Sequence, residues 1–134
     1  MKRMKYIKTF EYHSDLISNS VFYEVPEGEP TIFEPSFGVR RGNTKFYQLR
    51  IDNKPVVEIE VNPKSDYGKP EIMSAYSSIR GKGLGELLVK MVLNIYLKDE
   101  VFVRATKTSK KFWQRCGAEV VNNLDPYLLH FTKN

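Results

Sequence analysis

The chain holds a single cysteine, Cys116, and only two histidines, His13 and His130. One thiol closes no internal disulfide and builds no multi-cysteine metal site, so neither an oxidised scaffold nor a cysteine-ligated metal centre is expected. The shortage of cysteine fits a reducing, cytoplasmic compartment. No apolar run approaches the ~18 residues that would mark a spanning helix, so no membrane partner is expected. The basic start, Met1 to Asp15, lacks the apolar stretch of a secretory leader. Repeats and low-complexity tracts are missing too. No dense block of one charge occurs either: 21 basic against 16 acidic residues leave a formal net charge of +5. The cations are dispersed over Lys2, Arg3, Lys5, Lys8, Arg40, Arg41, Lys107, Lys110, Lys111 and Arg115. This excess suits an anionic ligand or a nucleic acid, and equally an ordinary basic surface, but no segment reads as a nucleic-acid arm.

The chain's 134 residues are enough for one domain and too few for two ordinary ones. At 41% hydrophobic and 13% aromatic residues it can build a core, which sets it apart from disordered chains. Tyr6 to Tyr12 reads as a strand and Ser14 to Tyr23 as a short helix. Residues 24–34 read as a loop with Pro26, Gly28 and Pro30. That loop carries Glu24, Glu27, Glu29 and Glu34 without a basic residue. From Lys45 the pattern sharpens. Tyr47, Leu49 and Ile51 alternate with Gln48 and Arg50, and Val57, Ile59 and Val61 alternate with Glu58 and Glu60. Period-two alternation on both sides of Asp52-Asn53-Lys54 predicts a β-hairpin. Residues 63–70, with Pro63, Gly68 and Pro70, form a turn-rich connection to a third strand, Glu71 to Ser77.

The period then changes. Leu84, Leu87, Leu88, Met91, Val92 and Ile95 make one stripe of a helix, with Glu86 near its start and Lys98 near its end. Val101 to Ala105 returns to strand. Ser109 to Cys116 is a second helix, with Phe112, Trp113 and Cys116 inward and Gly117 as its stop. Two strands follow, Ala118 to Val121 and Tyr127 to Phe131. The order β-β-β-α-β-α-β-β from residue 45 predicts a mixed α/β sheet in one layer system.

Between the third strand and the first helix stands Arg80-Gly81-Lys82-Gly83-Leu84-Gly85. A helix's first turn offers amide N–H groups without internal partners and a partial positive charge. Glycines let that backbone approach an anion closely, and Arg80 and Lys82 add charge beside it. A phosphate or pyrophosphate is the natural occupant. A P-loop would need Lys followed by Ser or Thr at a longer spacing, and this helix opens Gly85-Glu86-Leu87. A dinucleotide fingerprint would need its third glycine where Glu86 stands. A tight turn that serves only helix–strand packing is the plain structural alternative.

The segment from Glu71 to Leu88 resembles the core motif of the GCN5-related N-acetyltransferases (the GNAT family), whose Arg or Gln, two residues, Gly, one residue, Gly or Ala is matched by Arg80, Gly83 and Gly85. Ser109 to Ala118 is similar to that family's second motif, a short helix with an aromatic pair and a following Gly. The resemblance covers roughly residues 45–134, a coenzyme-binding core, while residues 1–44 diverge. It implies one domain over 1–134: a mixed, largely antiparallel sheet with splayed central strands and flanking helices.

It also implies acetyl-CoA as acyl-donor substrate, no metal, and direct acetyl transfer to a primary amine of an unidentified acceptor. Ala75, Tyr76 and Ser77 would meet the pantetheine arm, and Arg80, Gly81, Lys82, Gly83, Leu84, Gly85 and Glu86 the pyrophosphate. Thr106, Ser109, Lys110, Phe112 and Trp113 would border the acyl-CoA; for Lys110 and Lys111 a solvated helix face is at least as good a reading as contact with the 3′-phosphate. Many relatives carry a tyrosine general acid where this chain has Trp113, whose indole N–H cannot donate a proton at workable pH. Tyr76 and Tyr127 are the substitutes, with solvent as the remaining proton source. Glu71 is the first candidate for general base, ahead of Glu58 and Glu60. The acidic loop suggests a cationic acceptor. Three further readings stay open: a non-catalytic acyl-CoA-binding module, an acceptor linked to nucleic acid such as aminoacyl-tRNA, and a homodimer.

Overall fold

The computed structural model describes residues 17–32, 43–98 and 100–133. Seven strands form one sheet: β1 (Ser20–Val25), β2 (Lys45–Ile51), β3 (Lys54–Asn62), β4 (Glu71–Ser77), β5 (Glu100–Arg104), β6 (Glu119–Asn122) and β7 (Asp125–Thr132). Two helices interrupt them, α1 (Leu84–Tyr96) and α2 (Lys110–Arg115). The strands lie in the order β1-β2-β3-β4-β5-β7-β6. Every neighbouring pair is antiparallel except β4 and β5, which run parallel because α1 carries the chain over the sheet between them.

The β2–β3 hairpin turns on Asp52 and Asn53, both at positive φ (51° and 64°), as a two-residue type I′ turn requires. It opposes Gln48 to Glu58 and Leu49 to Val57. One face of the hairpin enters the main core with β4, β5 and α1, through Leu49, Val57, Ile59, Val61, Ile72, Leu84, Leu88, Val89, Val92, Val101 and Val103. Val89 belongs to this core and Ile95 is 45% exposed, so the buried stripe of α1 is turned from the one the spacing predicts.

The polar alternation of the hairpin does not mark a solvated face. Gln48 and Glu58 are both buried. The loop after β1 covers them: the Ile32 N–H donates to Glu58 Oε1 at 2.9 Å, and Gln48 Nε2 donates to the same oxygen at 2.6 Å. A buried carboxylate is tolerable when such donors satisfy it. The predicted strand Tyr6 to Tyr12 lies outside the described residues. The predicted helix Ser14 to Tyr23 is corrected in part: residues 20–23 are strand, because Phe22 and Tyr23 pair with Leu49 and Gln48 on β2. The predicted loop 24–34 likewise loses Glu24 and Val25 to β1.

Candidate active site

Strands β4 and β5 pair only over the start of β4, Glu71 with Phe102 and Ile72 with Val103. The reason for their parting lies on the other side of β4. There Glu60 opposes Ser74 and the next β3 residue, Val61, opposes Ile72, which leaves Met73 as an extra residue in β4. Such a bulge bends its strand and re-aims the neighbouring side chains. Past Met73 the strands separate, and a cavity of about 970 Å³ opens between them. It lies at the upper end of the range for ligand pockets. Its wall takes in Ser74, Ala75, Tyr76 and Ser77 from β4, and Thr106, Ser109, Phe112 and Trp113 from the stretch after β5.

At one end of the cavity stands the glycine loop. Gly81 (φ 75°) and Gly83 (φ 80°) adopt left-handed backbone on either side of Lys82, an alternation that turns successive N–H groups toward one point. Gly83 is also the N-cap of α1, and no side chain caps that helix. Its first-turn amides are therefore left for an external anion. A Cβ on Gly81 or Gly83 would meet nothing within 4 Å, so the left-handed backbone, not want of space, selects glycine at both positions. Gly85 is different: a Cβ there would lie 3.3 Å from Phe112 Cε1. The third glycine of the motif thus serves helix-to-helix approach, the structural alternative realised at one position of the loop.

Helix α2 ends on a left-handed Gly117 (φ 111°), with Ala118 N–H bonded to Trp113 O and Gly117 N–H to Gln114 O. This pair of bonds is a Schellman stop. It fixes Phe112 and Trp113 edge to face, ring centres 5.0 Å apart, in the cavity wall. Trp113 is 4% exposed. Cys116, half-buried, has its thiol pushed up to about 12, chiefly by burial, which keeps it protonated and unreactive.

The face of the sheet away from α1 is polar beside the gap. Ser74 Oγ donates to Glu60 Oε1 at 3.0 Å, and Tyr76, opposite Glu58 on β3, is 44% exposed. Further out, Arg50 Nε donates to Gln48 Oε1 at 2.8 Å, and the guanidinium lies 3.6 Å over the Tyr23 ring and 3.8 Å from Glu29. Tyr23 OH donates to Glu29, a bond that raises the phenol's pKa. Across the gap Arg104 binds Asp125 at 2.9 Å and Tyr67 OH at 2.8 Å, and it holds the Asp125 carboxyl below the usual range.

Among the residues singled out from sequence, Ala75, Tyr76, Ser77, Arg80, Gly81, Gly83, Gly85, Glu86, Ser109, Phe112 and Trp113 all meet in the cavity wall. Leu84 is fully buried in the core, leaving only its backbone for a ligand, and Lys82 and Lys110 stand outside the wall; Lys110 Nζ lies 5.4 Å from the Tyr127 ring centre. Tyr127 and Glu71 are not in the wall. Glu71 sits at the closed end of the gap, its carboxyl raised by burial and lowered in part by Arg104. Sequence reasoning gave Arg115 no site role and left Lys111 between contact with the 3′-phosphate and a solvated helix face; both line the cavity. Their positions on α2 one turn apart, with Glu86 3.9 Å from Arg115, were the available signal. Among the described residues no group of three or more His, Cys, Asp and Glu side chains could hold a metal ion. No described helix is long and apolar enough to cross a membrane.

The sequence matches no protein-family model and no curated protein. Its structure does match solved ones. It resembles a protein of the KacTA–DNA complex at 15% identity and TM-score 0.69, over 84% of this chain and 92% of that one. It resembles AtaTR bound with acetyl-CoA at 13% identity and TM-score 0.68, over 86% and 94%. A GNAT family acetyltransferase from Elizabethkingia anophelis with acetyl-CoA bound matches at 15% identity and TM-score 0.65, over 86% and 99%. Seven strands parted at a bulge, a glycine-capped helix at the gap and these three likenesses agree: the chain has the fold of the GNAT N-acetyltransferases.

Proposed function

We propose that the chain is an acetyl-CoA-dependent N-acetyltransferase that passes the acetyl group directly to a primary amine. One observation carries this reading: a single cavity runs from the uncapped glycine turn of α1 to the gap between β4 and β5. The residues fit such a substrate. Gly81, Gly83 and the first turn of α1 offer N–H groups to a pyrophosphate, and Arg80, Lys111 and Arg115 bring cations to the same wall. Ala75 and Ser77, on the unpaired edge of β4, offer backbone groups to an extended amide arm, as a missing strand would. Phe112 and Trp113 close the apolar side.

Holding thioester and amine together supplies much of the rate in such a site, since effective molarities reach about 10⁵ M or more. A carboxylate on the polar face must take a proton from the amine, because an ammonium has no lone pair to attack with; Glu71 is the first candidate. Tyr76, exposed and in the cavity wall, is the candidate acid toward the leaving sulfur, ahead of Tyr127 outside it. For the acceptor, Glu27 is the acidic-loop residue that favours a cationic amine, Glu29 already being paired with Arg50. Glu27→Lys is expected to raise the acceptor KM and leave coenzyme affinity unchanged; an unchanged KM rejects the cationic acceptor.

The deciding experiment is a thiol-release screen with acetyl-CoA against small amines, lysine peptides and aminoglycosides, with coenzyme binding followed by calorimetry. Binding with no thiol released would favour a non-catalytic acyl-CoA module. A second reading, an acceptor carried by nucleic acid, draws on Lys111 and Arg115 at the cavity and on Lys107 nearby. It predicts RNA binding that weakens steeply with salt.

A further inference from the structure

Resting on that reading, we propose that Ser74 and Glu60 are its proton relay on the acceptor side: Ser74 Oγ receives a proton from the attacking amine as its own passes to Glu60. Ser74 is the first β4 residue beyond the bulged Met73 and lies in the cavity wall. Its hydroxyl hydrogen is committed to Glu60 Oε1 at 3.0 Å. A hydroxyl whose one hydrogen is donated has only lone pairs left for a second partner. What Ser74 presents to the gap is therefore an acceptor, and its partner there must be a donor such as an amine N–H.

The geometry around Glu60 supports the role. Glu60 is half-buried and stands outside the cavity wall, so it reaches the gap through Ser74. The bulge that parts β4 from β5 is the same irregularity that sets Ser74 opposite Glu60. On this face β2 places Phe46 opposite Glu60 and Gln48 opposite Glu58, both uncharged, with Arg50 beyond them turned to Gln48 and Glu29. Glu58 and Tyr76 are the titratable neighbours, Glu58 already receiving the Ile32 and Gln48 donors. With the anion cradle of α1 at the helix end of the cavity, the amine comes from the polar face.

An amine that arrives as ammonium must lose two protons in turn, and two carboxylates on this face divide the task. Glu71 is left with the first, before attack. The second leaves as the nitrogen adds to the thioester carbonyl carbon: the C–N bond forms, the N–H proton passes to Ser74 Oγ, and the Ser74 proton passes to Glu60. The C–S bond then breaks, the sulfur takes a proton from Tyr76 or water, Glu60 and Glu71 return theirs to solvent, and a Tyr76 that has given its proton regains one from solvent. No co-reactant is required. Ser74 touches the acceptor, and Glu60 acts through it as a positioning residue.

The test uses the full chain with acetyl-CoA and the amine panel, comparing Ser74→Ala, Glu60→Gln and the double variant. Each single variant is expected to lower kcat by about 10² with coenzyme affinity within twofold of the parent. The loss in each variant should shrink as pH rises, as solvent bases take over the proton. The double variant should be no slower than either single one, as for groups acting as a unit. Thermal melting checks the fold, and Ser74→Ala stands if Glu60→Gln fails to fold. A parent protein that releases no thiol with any acceptor overturns the acetyltransferase reading and the relay together. Single variants that keep kcat within about threefold, or a double variant whose loss is the product of the two, overturn the relay alone.

Discussion

The two faces of the sheet at the β4–β5 gap are built in different ways. On the helix face the glycine turn is contiguous in sequence: Arg80 to Glu86 supplies the turn, an uncapped helix start and one wall cation, Arg80, within seven positions, while Lys111 and Arg115 join from α2. On the polar face no two partners are sequence neighbours. Ile32 meets Glu58, Gln48 meets Glu58, and Ser74 meets Glu60, between segments up to 26 residues apart. A site made by backbone needs particular residues in a row. A site made by side chains needs strands in register, and its members can come from anywhere in the chain. The helix face should therefore fail through single glycines and the polar face through broken pairs.

The largest effect expected is at Gly83. Gly83→Glu places a Cβ on left-handed backbone, a cost of about 1–2 kcal/mol, and a negative charge at an anion site. Coenzyme binding should fall below detection by calorimetry while the circular dichroism spectrum keeps its shape; retained binding would mean that the loop does not hold phosphate. Next comes Trp113→Ala, which empties a buried ring's place and should cost ~3–5 kcal/mol in urea unfolding. A loss under about 1 kcal/mol would place the ring outside the core it shares with Phe112.

On the polar face, Glu58→Ala leaves the Ile32 N–H and Gln48 amide without this acceptor and should cost about 1.5–3 kcal/mol. If the cost is near zero, water replaces the carboxylate and the loop's attachment is loose. Glu71→Gln should act in the opposite direction on stability. Burial raises the folded-state pKa of Glu71 above its unfolded value, so protonation favours the folded state, and that advantage is lost as pH rises through the raised value. The neutral variant should melt slightly above the parent at pH 7, and the gap should close below the ordinary carboxylate range. If Glu71 is the base, the same variant loses activity while it gains stability. A variant melting below the parent at pH 7 would show Arg104 outweighing burial.

The sequence made the helix face legible because its cause is local. Alternate glycines before an amphipathic stripe state a backbone geometry, and Gly117 after Trp113 states a helix stop. The bounds of β4 agree with the predicted Glu71 to Ser77. The bulge at Met73 was not legible, since nothing about a methionine between Ile72 and Ser74 announces an extra residue; only the register against Glu60 and Val61 reveals it. The burial of Gln48 and Glu58 was not legible because alternation reports polarity, not burial, and the loop residue that covers them lies far off in sequence. Ser20 to Tyr23 read as helix for a related reason: its strand identity comes from pairing with β2, a tertiary choice that overrides local pattern.

The position of β7 has a consequence for how the protein is made. Residues 125–132 are synthesised after every other described strand, yet they lie inside the sheet between β5 and β6. Until they have left the ribosome, β5 has an open hydrogen-bonding edge and β6 has no strand to pair with. The hairpin and the anion cradle can form while the chain is still growing, as earlier segments do when folding proceeds from the N-terminus. The stretch that leads to Phe112 and Trp113 gains its bond from Ala105 N–H to Tyr127 O only when β7 slides into place. A nascent chain stalled before Asp125 would therefore expose β5 as a sticky edge to chaperones or to other nascent copies, and the pairing of β7 is the step that closes that edge.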